Sequence, residues 1–207
     1  MIAIIDYGLG NLHSVKNALD TLGAKTIITS DPYEIERADG VILPGVGAFE
    51  EAMQNLNKRN LIDVVYQVVK NKTPLLGICL GMQVMFERGY EGQITDGFSF
   101  FKGEVTRIKV DGKIPHMGWN QLEYTQDDVL IDKEQDAYVY FVHSFVATNY
   151  DEDDLVAYSM YGNAKIPAYF HKGQIYAMQY HPEKSGEVGL AMLKKFMEVC
   201  DDYSTSN

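Results

Sequence analysis

The first half of the chain alternates short runs of unbroken apolar residues with segments whose apolar positions recur every three or four residues. No other feature restricts the fold as much. Residues 2–5, 25–29 and 40–44 read as strands, as does the apolar run that ends at Ile78. Leu12, Val15, Leu19 and Leu22 share one side of a helix that Asn11 can cap, and helical patterns recur over 48–56 and 61–69. A strand without a polar face must be covered on both sides. The pattern therefore predicts a three-layer α/β fold, with a mainly parallel central sheet flanked by helices.

From about residue 98 the texture changes to strand-like runs over 103–110, 138–148, 155–161, 166–171 and 174–180, the last two joined as a hairpin at Lys172-Gly173. These predict additional antiparallel strands in the second half, extending the sheet or forming a layer beside it. A closing helix puts Gly189, Leu193, Phe196 and Cys200 on one face, which can pack back on the sheet. The expected organisation is one domain over residues 1–200 and a frayed tail over 201–207. A length of 207 residues is enough for one substantial core.

A formal net charge of -11 argues against a nucleic-acid surface and gives no reason to expect an anionic membrane as partner. Cys79 and Cys200 are the only cysteines, too few for a disulfide framework and better suited to a reducing compartment. The opening Met1-Ile2-Ala3-Ile4-Ile5-Asp6 lacks the basic stretch of a secretion signal, and no apolar run approaches membrane-spanning length. A cytoplasmic location is expected. The acidic run Asp151 to Asp154 reads as a solvated turn, and His13, His116, His143 and His171 show no metal-ligand spacing.

The chemistry centres on Gly77-Ile78-Cys79-Leu80-Gly81, where an apolar strand meets a helix through a small-x-nucleophile-x-small turn. Such a nucleophile elbow leaves no space for a Cβ at the flanking glycines. It also sets the sulfur at a helix N-terminus, whose partial positive charge favours thiolate. A buried, inert cysteine is the alternative. The matching base is His181 in His181-Pro182-Glu183, which follows the apolar run ending at Tyr180 and so emerges at a strand end as Cys79 does. Glu183 can return its carboxylate to one ring nitrogen and leave the other to exchange a proton with Cys79. A plain strand-capping histidine beside a surface glutamate is the competing reading.

Two glycine-rich turns follow apolar strands. Gly45-Val46-Gly47 can present the backbone N–H groups of Val46 or Gly47 to a developing oxyanion, with the amide of Leu80 as second donor. Asp6-Tyr7-Gly8-Leu9-Gly10-Asn11 only partly resembles a dinucleotide fingerprint, because His13 occupies the position of the third glycine. No cofactor is implied. Trp119, within Pro115-His116-Met117-Gly118-Trp119-Asn120, sits in a polar, glycine-containing surround that reads as a loop, where an aromatic serves contact.

Gly77 to Gln83 together with His181-Pro182-Glu183 resembles the triad-type, class I glutamine amidotransferases, in which Cys, His and Glu occur in that order. Asp6 to Asn11, Pro44 to Gly47, Pro115 to Asn120, Tyr140 to Ser144 and His181 to Ser185 narrow the resemblance to the glutaminase subunits of imidazole glycerol phosphate synthases. It runs from Met1 to about Val199. Most such relatives carry Tyr where this chain has Phe145, so a hydroxyl near the glutamine pocket is missing here. The resemblance implies that Cys79, His181 and Glu183 hydrolyse L-glutamine to glutamate and ammonia through a thioester, with Gly45, Gln83 and Ser144 around the bound glutamine. It implies a partner, a (β/α)8-barrel cyclase of histidine biosynthesis. That partner joins the ammonia to a phosphoribosyl-carboxamide substrate, giving imidazole glycerol phosphate and aminoimidazole carboxamide ribotide. Asn11, Trp119, Lys184 and Ser185 would face this barrel beside an ammonia channel, and the glutaminase would stay slow until the cyclase substrate binds. Three other readings stay open: a self-sufficient cysteine hydrolase, a non-catalytic nucleotide-binding module using Gly8 and Gly10, and a glutaminase whose partner aminates surface sugars.

Overall fold

A computed structural model describes residues 1–132 and 136–206. The first half holds β1 (Ile2–Ile5), α1 (Leu12–Thr21), β2 (Thr26–Thr29), α2 (Pro32–Glu36), β3 (Gly40–Leu43), α3 (Phe49–Lys58), α4 (Ile62–Lys70), β4 (Leu75–Ile78) and α5 (Leu80–Gln83). Then come β5 (Arg88–Gly89), β6 (Thr95–Asp96), β7 (Glu104–Arg107), β8 (His116–Gln121), β9 (Glu123–Tyr124), β10 (Tyr138–His143) and β11 (Phe145–Thr148). The chain closes with β12 (Leu155–Tyr161), β13 (Ala164–Lys172), β14 (Ile175–Met178) and α6 (Gly186–Ser206).

The central sheet has eight strands in the order β2-β1-β3-β4-β14-β13-β12-β9. The five strands from β2 to β14 are parallel, and β13, β12 and β9 continue it antiparallel. Because side chains alternate along a strand, β1 feeds two cores: Ile2 and Ile4 pack with Val15, Leu19, Leu193 and Phe196, whereas Ala3 and Ile5 pack with Leu56, Val65 and Val68. Helices α1 and α6 thus cover one face, and α3 and α4 the other. This is the mainly parallel, helix-flanked architecture that the apolar runs predict, and the second half both extends the sheet and adds a layer beside it.

Three expectations change. The run 138–148 is not one strand: β10 pairs with β8, β11 pairs with β7 in a separate four-stranded sheet, and the chain breaks between them at Ser144. The segment around Trp119 is strand β8, not a loop, with His116 turned inward and Met117 outward. Helix α6 does not end at Cys200. It continues through Ser206, and the Tyr203 hydroxyl donates to the Asn71 carbonyl and accepts from Thr73 at 3.2 and 3.1 Å. No helix among the described residues is long and apolar enough to cross a membrane.

Candidate active site

Strands β1, β3, β4 and β14 lie side by side and parallel, so their carboxyl ends open on one edge of the sheet. That edge gathers the turn after β1, the Gly45–Gly47 turn after β3, Cys79 after β4 and His181 after β14. Sequence motifs up to 175 residues apart therefore meet because their strands are neighbours.

Cys79 has φ 55° and ψ −109°, a conformation that costs an L-residue about 1–3 kcal/mol. Its neighbours enforce the turn. The Cys79 N–H donates to the Met178 carbonyl at 2.7 Å, and its own carbonyl accepts from Gln83 N at 3.0 Å. Gly81 is obligatory, since a Cβ there would lie 1.7 Å from the Leu43 carbonyl oxygen. The helix that follows is a single turn, so the macrodipole on which the sequence reading relies is short. The charge available to a thiolate comes mainly from His181.

His181 is fixed through its backbone, whose N–H donates to Tyr140 O at 3.0 Å and whose carbonyl accepts from the Ser185 hydroxyl at 2.6 Å. Pro182 opens a 3-10 turn that brings Glu183 back, and Glu183 Oε1 accepts from His181 Nδ1 at 2.8 Å. Burial opposes a charge on this imidazole, but the Cys79 sulfur and the Glu183 carboxylate outweigh it and push the pKa up from 6.5 to about 9. Because Glu183 takes Nδ1, the buried Nε2 is the atom left to exchange a proton with Cys79.

Cys79 opens on a cavity of about 320 Å³ whose walls include Val46, Gly47, Leu80, Gln83, Glu91, Ser144 and Phe145. Both protons of the Gln83 amide are engaged, by the Phe145 carbonyl at 3.1 Å and by Gln179 Oε1 at 3.0 Å, so Gln83 can offer a ligand only its oxygen. Phe145 contributes through this carbonyl, which also accepts from His143 Nδ1 at 2.8 Å, independently of whether its ring carries a hydroxyl. Burial pushes the His143 pKa down to about 3, so this ring is a neutral donor. Glu91 accepts from Phe49 N at 3.0 Å and brings a carboxylate to the cavity wall, where it suits a ligand ammonium.

The expected oxyanion donors are not both free. The Leu80 N–H donates to the Gly45 carbonyl at 3.3 Å, so that carbonyl occupies the direction an oxyanion would take. Gly45 is packed against Tyr7, whose buried hydroxyl donates to Pro44 O at 2.7 Å; a Cβ on Gly45 would lie 2.3 Å from that hydroxyl. Val46 and Gly47 line the cavity, and Gly47 sits at φ 112°, where glycine alone is comfortable.

The expected partner-facing residues divide. Trp119 is 53% exposed, edge-to-face with Tyr140 at 6.0 Å, and shares an apolar surface with Met117 and Tyr138. Lys184 is exposed. Ser185 is buried, bonded to His181 and Tyr140, and so acts inside the fold instead of facing a partner. Asn11 stands at the start of α1 without making a side-chain cap. Among the described residues no cluster of His, Cys, Asp or Glu is arranged to hold a metal ion. Tyr7, Glu91 and Gln179 were missed by sequence reasoning. Only Gln179 had a visible signal, as a polar residue closing an otherwise apolar strand next to His181.

The sequence profile for "Glutamine amidotransferase class-I" matches residues 3–200. The chain is 51% identical over 201 residues to the imidazole glycerol phosphate synthase subunit HisH of Lactococcus lactis subsp. lactis, covering 95% of this chain and 98% of that protein. It is 47% identical over 207 residues to the subunit of that name from Bacillus cereus, covering 100% and 98%. Among solved structures, a glutamine amidotransferase superposes with a TM-score of 0.76 at 18% identity, covering 97% of this chain and 100% of that one. PurLQS from Thermotoga maritima gives 0.71 at 16% identity, covering 98% of each chain. Those two likenesses speak for the fold alone.

Proposed function

Because the chain belongs to the class-I glutamine amidotransferase family, we propose that it is the glutaminase subunit of an imidazole glycerol phosphate synthase, supplying ammonia to a cyclase partner in histidine biosynthesis. The catalytic unit is residues 1–200. The observation that carries the reading is a strained cysteine at a cavity of amino-acid size with a buried imidazole–carboxylate pair beside it.

In this reading Cys79 starts as thiolate and His181 as imidazolium. The sulfur attacks the side-chain amide carbon of L-glutamine, and the carbonyl π electrons move onto oxygen. As the tetrahedral intermediate collapses, His181 Nε2 gives its proton to the departing nitrogen, which leaves as ammonia. The neutral imidazole then takes a proton from water, whose oxygen displaces Cys79 from the glutamyl thioester and yields glutamate. Glu183 holds the ring through Nδ1. Gln83, Ser144 and the Gly45 segment position the substrate, and Glu91 answers its α-ammonium.

The partner dependence follows from the Gly45 carbonyl on the Leu80 N–H. Rotating the peptide between Gly45 and Val46 would remove that carbonyl, release the Leu80 donor and turn the Val46 N–H toward the oxyanion; the rotation changes ψ of Gly45, which has no Cβ to hinder it, and φ of Val46. A (β/α)8-barrel cyclase docked on Trp119, Lys184 and Asn11 is the agent that would favour the rotated state when its own substrate is bound. The cytoplasm suits the two free thiols, Cys79 and Cys200. The test is glutamate release by the reconstituted complex: Cys79→Ala should abolish it, and retained turnover would reject the nucleophile.

A further inference from the structure

The sulfur of Cys79 has a second neighbour that the mechanism above does not use. Strands β4 and β14 pair in register, Ile78 opposite Met178, so Cys79 and Gln179 leave the sheet side by side. Gln179 is fully buried, and its backbone N–H donates to Ala168 O at 2.8 Å. Its amide Nε2 donates to Cys79 Sγ at 3.8 Å.

The orientation of that amide is fixed by what lies behind it. The Phe145 carbonyl can only accept, so the group that Gln83 turns toward it is Nε2. The second proton on Gln83 Nε2 needs an acceptor, which is Gln179 Oε1. Reversing Gln179 would set two NH2 groups against each other. Its nitrogen therefore faces the sulfur, and on that side it can donate but not accept.

We propose that Gln179 is a positioning residue that holds Cys79 Sγ as a hydrogen-bond acceptor, favouring the attacking thiolate and aiming it at the cavity. The proposal rests on Cys79 being the nucleophile. It also gives Gln83, which lines the cavity, a route to the sulfur through one intervening amide.

Two full-length variants test it. Gln179→Met keeps length and removes the donor, while Gln179→Glu keeps the acceptor for Gln83 and turns an oxygen toward the sulfur. For folded Gln179→Met at pH 7, the ultraviolet thiolate absorbance falls and iodoacetamide alkylation of Cys79 slows about tenfold; in the complex with cyclase and its substrate, kcat falls by a similar factor. The KM for glutamine is read in Gln179→Glu, which keeps the acceptor for Gln83, and stays there within about twofold. Gln179→Glu is slower still. Variants that melt earlier but keep wild-type thiolate absorbance and alkylation per folded molecule would overturn the proposal, leaving Gln179 a packing residue. Cys79→Ala is measured alongside. Turnover retained there would reject the nucleophile itself, whereas loss there with wild-type rates in both Gln179 variants would reject only the role of Gln179.

Discussion

Replacing Glu183 by Gln removes one charge from the buried pair with almost no change of shape. The side chains of His181 and Glu183 are 2% and 1% exposed, so water cannot take over the lost charge. A rise in the His181 pKa from 6.5 to about 9 corresponds to roughly 3 kcal/mol in favour of the imidazolium. Burial works against it, so Cys79 and Glu183 together supply more than this net effect, and an equal share gives the carboxylate at least about one pH unit. Glutaminase activity of the wild-type complex should fall as pH rises through about 9, where the proton for the leaving nitrogen is lost. In Glu183→Gln this alkaline limb should move down by about one pH unit and the maximal rate should fall at least about tenfold. Stability gives an independent reading. A folded pKa above the unfolded 6.5 contributes fully below that pH and is lost as pH rises through about 9. Wild type should lose roughly 3 kcal/mol across that window from this group and the variant about half as much, measured by urea unfolding on each side of it. An alkaline limb and a stability profile that Glu183→Gln leaves unmoved would refute the reasoning.

Gly81→Ala should yield little folded protein, since the added carbon lands 1.7 Å from a carbonyl of β3 and the overlap costs about 3 kcal/mol or more; soluble yield and thermal melting check it. Tyr7→Phe leaves the Pro44 carbonyl without its donor and should destabilise by about 1–3 kcal/mol in denaturant titration. Trp119→Ala should leave the melting temperature of the isolated chain unchanged but weaken cyclase binding by about 2 kcal/mol, roughly thirtyfold in Kd by calorimetry, as expected of an exposed aromatic anchor.

The parallel half of the sheet is legible in the sequence because its strands have no polar face: Ile2–Ile5 and Gly40–Leu43 can only be buried. Cys79 and His181 are legible for a related reason, each following an apolar run that must stop at the sheet edge. Helix α2 escapes the reading because five residues are too few for a period, although Asp31 caps it and Pro32 opens it. Strand β8 escapes because Gly118 and the flanking polar residues mimic a loop; its inward residue, His116, is polar and bonded to His143 and Asn120. The break at Ser144 belongs to two different partner strands, and nothing local announces it. Tyr7 and Gln179 depend on register between distant strands, 37 residues from Pro44 in one case and 100 from Cys79 in the other, so no motif carries them. The bond from the Leu80 N–H to the Gly45 carbonyl is likewise a property of one peptide's orientation, which composition does not encode.

The claim that the nucleophile is assembled but its oxyanion site is blocked by the Gly45 carbonyl is tested most directly by glutamate release under three conditions: this chain alone, with the cyclase, and with the cyclase plus its ribotide substrate. Release should be slow alone and rise steeply only when the ribotide is present. Equal rates in all three would contradict it.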